Sequence, residues 1–219
     1  MKHPFILTAL LLAAGCAFAR ETSSLDGTWQ IVFDRNNEGG AKQWVHAKNF
    51  PREQQREIAV PSCWELIEKD YEGVAYYRRA FKVPANWAGK TIRLQFDAVN
   101  FRSEVWLNDT AVGVHEGGFT PFEFRVDDLL KFDAENTLLL RVVGPILMQD
   151  KRVDGVGPME TPQWRGAITG GIWQPVRLIA TGDAYVKDIF IEPKISDNTA
   201  TFHLELAHEG KQAGPAKVT

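Results

Sequence analysis

Five side chains in one irregular stretch carry the most suggestive chemistry of this sequence: Asp150, Asp154, Gln163, Trp164 and Arg165. An indole offers a flat apolar face for stacking, and carboxylates, an amide and a guanidinium offer hydrogen bonds to a polar ligand. Trp164, set between Gln163 and Arg165, suits a ligand that both stacks and hydrogen-bonds; the same indole could equally staple a long loop to the protein body. Nucleophilic and metal chemistry find less support. Cys63 has no histidine near it in sequence, and its neighbours Val60-Pro61-Ser62 and Trp64 read as the surroundings of a packed thiol. His46, His115, His203 and His208 are scattered, and the spacing of the last two puts them on opposite faces of a strand, so no metal site is expected. No glycine-rich phosphate loop opens a helix and no Ser-His-Asp set has supporting context, so no cofactor is expected.

The bulk properties narrow the classes further. The 219 residues are 44% apolar and 24% charged, ordinary for a globular protein and enough for one domain and part of another. The net charge of −3, from 25 basic and 28 acidic residues without a basic block, argues against nucleic-acid binding. Residues 1–19 read as an export leader: Lys2, an apolar run from Phe5 to Ala14, and Ala17-Phe18-Ala19 as a small-x-small cleavage site. Ala14-Gly15-Cys16 also resembles a lipoprotein signal in which Cys16 would be acylated, although Ala13 stands where such signals usually carry Leu. Cleavage after Ala19 and lipid anchoring at Cys16 both stay open; either places the protein in the periplasm, outside the cell, or on an outer membrane. With Cys16 removed or acylated, Cys63 has no partner for a disulfide, so the fold must rest on an apolar core.

The elements that would position these residues are strands. Trp29, Ile31 and Phe33 alternate with polar neighbours after Gly27, and Ile58 to Trp64, containing Val60-Pro61, reads as a short edge strand. Tyr77, Arg79, Phe81 and Val83 share a face; Ile92, Leu94 and Phe96 alternate, as do Val105 and Leu107 before the Asn108-Asp109 turn. Leu138 to Val143 looks buried on both faces. Trp44 to Glu57 reads as loop or short helix, Asp127 as a helix N-cap, and Trp29, Trp106 and Trp173 as core residues within strands. From Gly144 to Gly171 all periodicity stops, and a structureless span of that length is usually functional or mobile. After Asp183, Val186, Ile189 and Ile191 pattern one strand and Phe202, Leu204 and Leu206 a second. The expected fold is all-β: a jelly-roll, galactose-binding-like β-sandwich over 20–182, then from 183–219 the opening of a second sandwich that two strands alone cannot complete.

Nine short motifs in order carry a family resemblance. They are Leu25-Asp26-Gly27-Thr28-Trp29; Val60-Pro61 with Trp64; Tyr76-Tyr77-Arg78-Arg79 before Phe81; Leu94 to Val99; Val105-Trp106-Leu107-Asn108; Gly117-Gly118-Phe119 with Pro121-Phe122; Asn136-Thr137-Leu138; Gly170-Gly171-Ile172-Trp173; and Val186-Lys187-Asp188. Together the span from Leu25 to Ile191 resembles the N-terminal sugar-binding domain of glycoside hydrolase family 2, the β-galactosidase, β-glucuronidase and β-mannosidase group. Asp109 departs from the Gly common there, yet Asp also tolerates the left-handed turn. The resemblance implies that residues 183–219 begin an immunoglobulin-like domain. It also implies that hydrolysis belongs to two glutamates on a following (β/α)8 barrel, and that the irregular span lends a loop to the mouth of that site. Asn37-Glu38 superficially matches the family's Asn-Glu acid motif but lies in a turn cluster, where a solvated charge is the simpler reading. No catalytic residue is therefore assigned. The resulting expectation is the non-catalytic N-terminal portion of an exported enzyme that hydrolyses terminal β-glycosides, with carbohydrate and the barrel of the same polypeptide as partners. The alternative is a stand-alone carbohydrate-binding module.

Overall fold

In the computed structural model of the chain, residues 20–147, 152–158 and 169–209 are described. Strands β1 (Glu21–Ser24), β5 (Thr91–Phe96), β8 (Phe122–Arg125) and β10 (Val176–Thr181) form one sheet in the order β1-β10-β5-β8. A second sheet runs β3-β2-β4-β9-β6-β7, from β2 (Gly27–Asp34), β3 (Arg56–Val60), β4 (Val74–Phe81), β6 (Arg102–Leu107), β7 (Thr110–Glu116) and β9 (Asn136–Val143). Every pairing in both sheets is antiparallel. No α-helix occurs among the described residues; the only helical turns are short 3-10 segments.

The alternation seen in the sequence is what closes the sandwich. Trp29, Ile31, Tyr77, Leu138 and Leu140 of the larger sheet and Ile92, Leu94, Phe96, Leu178 and Ala180 of the smaller form one buried cluster between the layers. Each of the larger side chains contributes on the order of 2 kcal/mol by leaving water, and the Ala180 methyl less than half of that. The opposite face of the larger sheet carries a second core: Val32, Tyr76, Leu139 and Val143 pack under Trp44 and Phe50 from the 35–55 turns and under Ile146, Val153 and Val156. Two cores explain why β9 is apolar on both faces. The 44–55 stretch is a series of turns and Arg56 and Glu57 already belong to β3, so no helix forms there; the turns are held in place by covering that outer face.

Several local expectations need correction. The edge strand expected to reach Trp64 ends at Val60, and Trp64 begins a 3-10 turn to Leu66. Asp127 caps no helix: a 3-10 turn starts at Asp127 itself, no side chain caps it, and the carboxylate pairs with Arg125 at 2.8 Å. Trp29 is fully buried in its strand, but Trp173 is only half-buried and lies outside any strand. Asn108 and Asp109 do turn the β6–β7 hairpin, with φ of 51° and 66°.

The chain continues as a long hairpin, β11 (Ala184–Lys194) with β12 (Thr199–His208). Its register places Val186, Ile189 and Ile191 opposite Leu206, Leu204 and Phe202, an apolar face that stays largely exposed. The Arg93 guanidinium stacks on the Tyr185 ring at 3.7 Å and ties the hairpin to β5.

Candidate functional site

The irregular span leaves β9 at Gly144 and returns at Gly170, and both glycines press on the same side chain. A methyl group at either position would overlap the Trp64 indole, so only glycine lets the backbone pass on each side of that ring. Trp64 is fully buried and stands edge-on to Tyr71 at 5.5 Å and to Phe33 at 6.1 Å. It is a fixed wedge between the start and the end of the span.

Two carboxylates from the same short segment then grip those ends. Glu72, buried, accepts a hydrogen bond from the Leu147 N–H at 3.1 Å, and Glu65 accepts one from the Gly170 N–H at 2.8 Å. The Trp64 N–H donates to the Gly170 carbonyl at 3.1 Å, and the Ser62 N–H donates to that of Ile172 at 3.0 Å. From the far side Asn100 exchanges backbone hydrogen bonds with Gly171, both at 3.0 Å, and its side-chain amide donates to the Thr169 carbonyl. Burial pushes the Glu65 carboxyl up to about 7, with the nearby Asp70 charge adding to the rise. Its Oε2 is buried without a partner, and the Trp64 Nε1–H lies beside the carboxyl without closing a hydrogen bond. The Tyr77 hydroxyl and Asn100 Oδ1 are also buried there without partners.

Aromatic surface is displayed at the same end. Phe119 is 56% exposed and meets the Trp173 ring edge-on at 5.5 Å, while Trp173 Nε1–H donates to the Gly118 carbonyl at 2.8 Å. His115 is half-buried and stacked on Phe122 at 4.0 Å, and burial lowers its pKa. Cys63 is half-buried, its thiol pushed up by burial, as a packed thiol should be.

Of the residues the sequence singled out, Asp150, Gln163, Trp164 and Arg165 lie outside the described residues, as does Cys16. Asp154 is described. It sits at the tip of a two-sided turn closed by Val153 and Val156, and its carboxylate pairs with Arg141 of β9 at 2.6 Å. Arg141 also reaches Glu104 at 3.1 Å and the Asn37 side chain at 3.3 Å, so Asp154 is moored to the outer face of the larger sheet. Glu38 of the Asn37-Glu38 pair is tied to Lys42 at 2.6 Å, in a turn whose backbone is held by Asp34. Among the described residues no cluster of His, Cys, Asp and Glu could hold a metal ion.

Sequence reasoning passed over Glu65, Glu72 and Asn100. Their one visible signal was glycine at both ends of the aperiodic span, which asks what large side chain the backbone must clear.

Residues 22–181 match the family model described as "Glycosyl hydrolases family 2, sugar binding domain". A β-galactosidase of Thermoanaerobacter pseudethanolicus is 31% identical over 153 residues, covering 69% of this chain and 20% of that protein. A β-glucuronidase of Paenibacillus borealis is 26% identical over 189 residues, covering 78% of this chain and 31% of that protein. Among solved structures, β-glucuronidase from Ruminococcus gnavus in complex with uronic deoxynojirimycin superposes with a TM-score of 0.73 at 24% identity, over 87% of this chain and 34% of that one. Lactobacillus rhamnosus β-glucuronidase gives 0.70 at 26%, over 85% and 33%. The chain thus spans between a fifth and about a third of the length of these relatives.

Proposed function

Because this chain belongs to glycoside hydrolase family 2, whose sugar-binding domain it carries, we propose that it is the non-catalytic, substrate-side domain of an exported β-glycosidase. The observation that carries this reading is the fixed end of the sandwich. Trp64, Glu65, Glu72 and Asn100 hold both ends of one long span, and Phe119 and Trp173 stand beside it. A rigid scaffold that aims an irregular loop is the usual arrangement for a ligand-facing surface. Asp150, Gln163, Trp164 and Arg165 from the aperiodic stretch of sequence, together with Asp154, supply the stacking and hydrogen-bonding groups a pyranose takes. Retaining hydrolysis needs two carboxyl groups roughly 5–5.5 Å apart flanking the glycosidic bond. This domain's share is to bind and shape, and the reaction falls to a family barrel working beside it. The apolar face of the β11–β12 hairpin supports reading 183 onward as the opening of an immunoglobulin-like sandwich whose further strands cover it. The leader in residues 1–19 supports export, with Cys16 as the lipid-anchoring alternative.

Expressed alone, the 219-residue chain is expected to release no nitrophenol from aryl β-galactosides, β-glucuronides or β-mannosides; turnover that follows the chain through purification would overturn the non-catalytic assignment. In an enzyme where this domain works with a barrel, Trp164→Ala is expected to raise KM roughly tenfold, the loss of one aromatic stacking contact of about 1.4 kcal/mol. An unchanged KM with an unchanged melting temperature would reject Trp164 as a sugar contact.

A further inference from the structure

We infer that Glu65 is a protonation-dependent latch on the return of the irregular span, gripping the Gly170 N–H while its carboxyl is neutral and letting go when it ionises. The geometry supplies one acceptor contact, from Glu65 Oε1 to Gly170, and leaves Oε2 buried with nothing donating to it. A carboxylate shut away in that way needs water or a cation. Among the described residues, the titratable and charged groups facing it are Cys63 and Asp70 from its own segment and the Tyr77 hydroxyl from β4, none of them a cation. Of the described residues of the returning segment, Gly170 meets it with its backbone N–H. Ionised Glu65 is therefore relieved chiefly by swinging out to solvent, which gives up Gly170.

Linkage fixes the direction. In the closed form burial raises the Glu65 carboxyl from 4.5 to about 7, whereas a hydrated, open Glu65 titrates near its ordinary value. The closed form binds the proton more tightly, so it is fully favoured below pH 4.5 and progressively disfavoured as pH rises through 7. At the other end of the span Glu72 accepts from the Leu147 N–H. The consequence for a substrate rests on the reading proposed above. The latch itself does not, and its test contains no sugar.

Amide hydrogen exchange at Gly170, corrected for the intrinsic pH dependence of exchange, reads the latch directly in the full chain. The protection factor of Gly170 is expected to fall about tenfold between pH 5.5 and 8. Glu65→Gln keeps an acceptor oxygen without a charge, so its Gly170 protection should stay high and flat over the same range. Glu65→Ala removes the acceptor, and its protection should be low and flat. Amides of β9 serve as the internal control that all three proteins are folded. A Glu65→Gln protein that keeps the wild-type pH dependence would overturn the latch, and so would a wild-type Gly170 whose protection does not move.

Discussion

Replacing Trp64 by alanine is expected to cost the fold about 3–5 kcal/mol, near the top of what one core truncation removes. The indole is fully buried, contacts Phe33 and Tyr71 edge-on, and fills the space that Gly144 and Gly170 leave free on either side. Its N–H makes no hydrogen bond, so alanine breaks none, and the loss is packing alone. The site has little freedom to collapse, because the backbone at Gly170 is pinned by Asn100 through Gly171 and by Glu65. Urea unfolding measures the cost, and a melting temperature lower by roughly 10 °C should accompany it. Trp64→Phe should lose much less, since a six-membered ring still occupies part of the wedge. A Trp64→Ala protein within 1 kcal/mol of the wild type would mean that the two glycines close over the gap, and that the indole does not set the ends of the span.

The strands and their turns were legible because their signals are local. Ile92, Leu94 and Phe96 alternate over one element, and Asn108-Asp109 need only each other to turn a hairpin. The wedge was not legible. Trp64 reads as the last apolar residue of an edge strand, and nothing in its own neighbourhood says that Gly144 and Gly170, about 80 and 106 residues further on, will close around it. Glu65 and Glu72 look like solvated charges for the same reason: their partners are backbone N–H groups of a distant segment, which have no residue type to recognise. Trp173 misled in the opposite sense. Its place in an apolar run suggested a strand, yet Pro175 follows and regular pairing with β5 starts only at Val176. The double burial of β9 was visible as an apolar run, Leu138 to Val143, interrupted only by Arg141. What covers its outer face was not, because the 35–55 turns carry Trp44 and Phe50 without any period.

Arg141 is the second position where a single change should be costly, and it also tests the one sugar-contact candidate that the structure places. Its side chain is only 9% exposed and bridges Glu104 from β6 to Asp154 in the span. Removing one partner of a buried ion pair typically costs 3–5 kcal/mol, because the remaining charge stays desolvated. Here the loss should fall at or just below the lower bound, about 2–3 kcal/mol. Glu104 keeps Arg102 at 3.3 Å, and Asp154, at 43% exposure, can hydrate. Arg141→Lys should recover only part of that, since an ammonium cannot reach Glu104, Asp154 and Asn37 at once as the planar fork does. A double-mutant cycle with Asp154→Ala isolates the mooring, with an expected coupling of about 1 kcal/mol by chemical unfolding. If Asp154 also serves a sugar, Asp154→Asn should change carbohydrate affinity by more than its small effect on stability predicts. Equal, small effects in both assays would assign its carboxylate to Arg141 alone, and would leave ligand contact to Asp150, Gln163, Trp164 and Arg165.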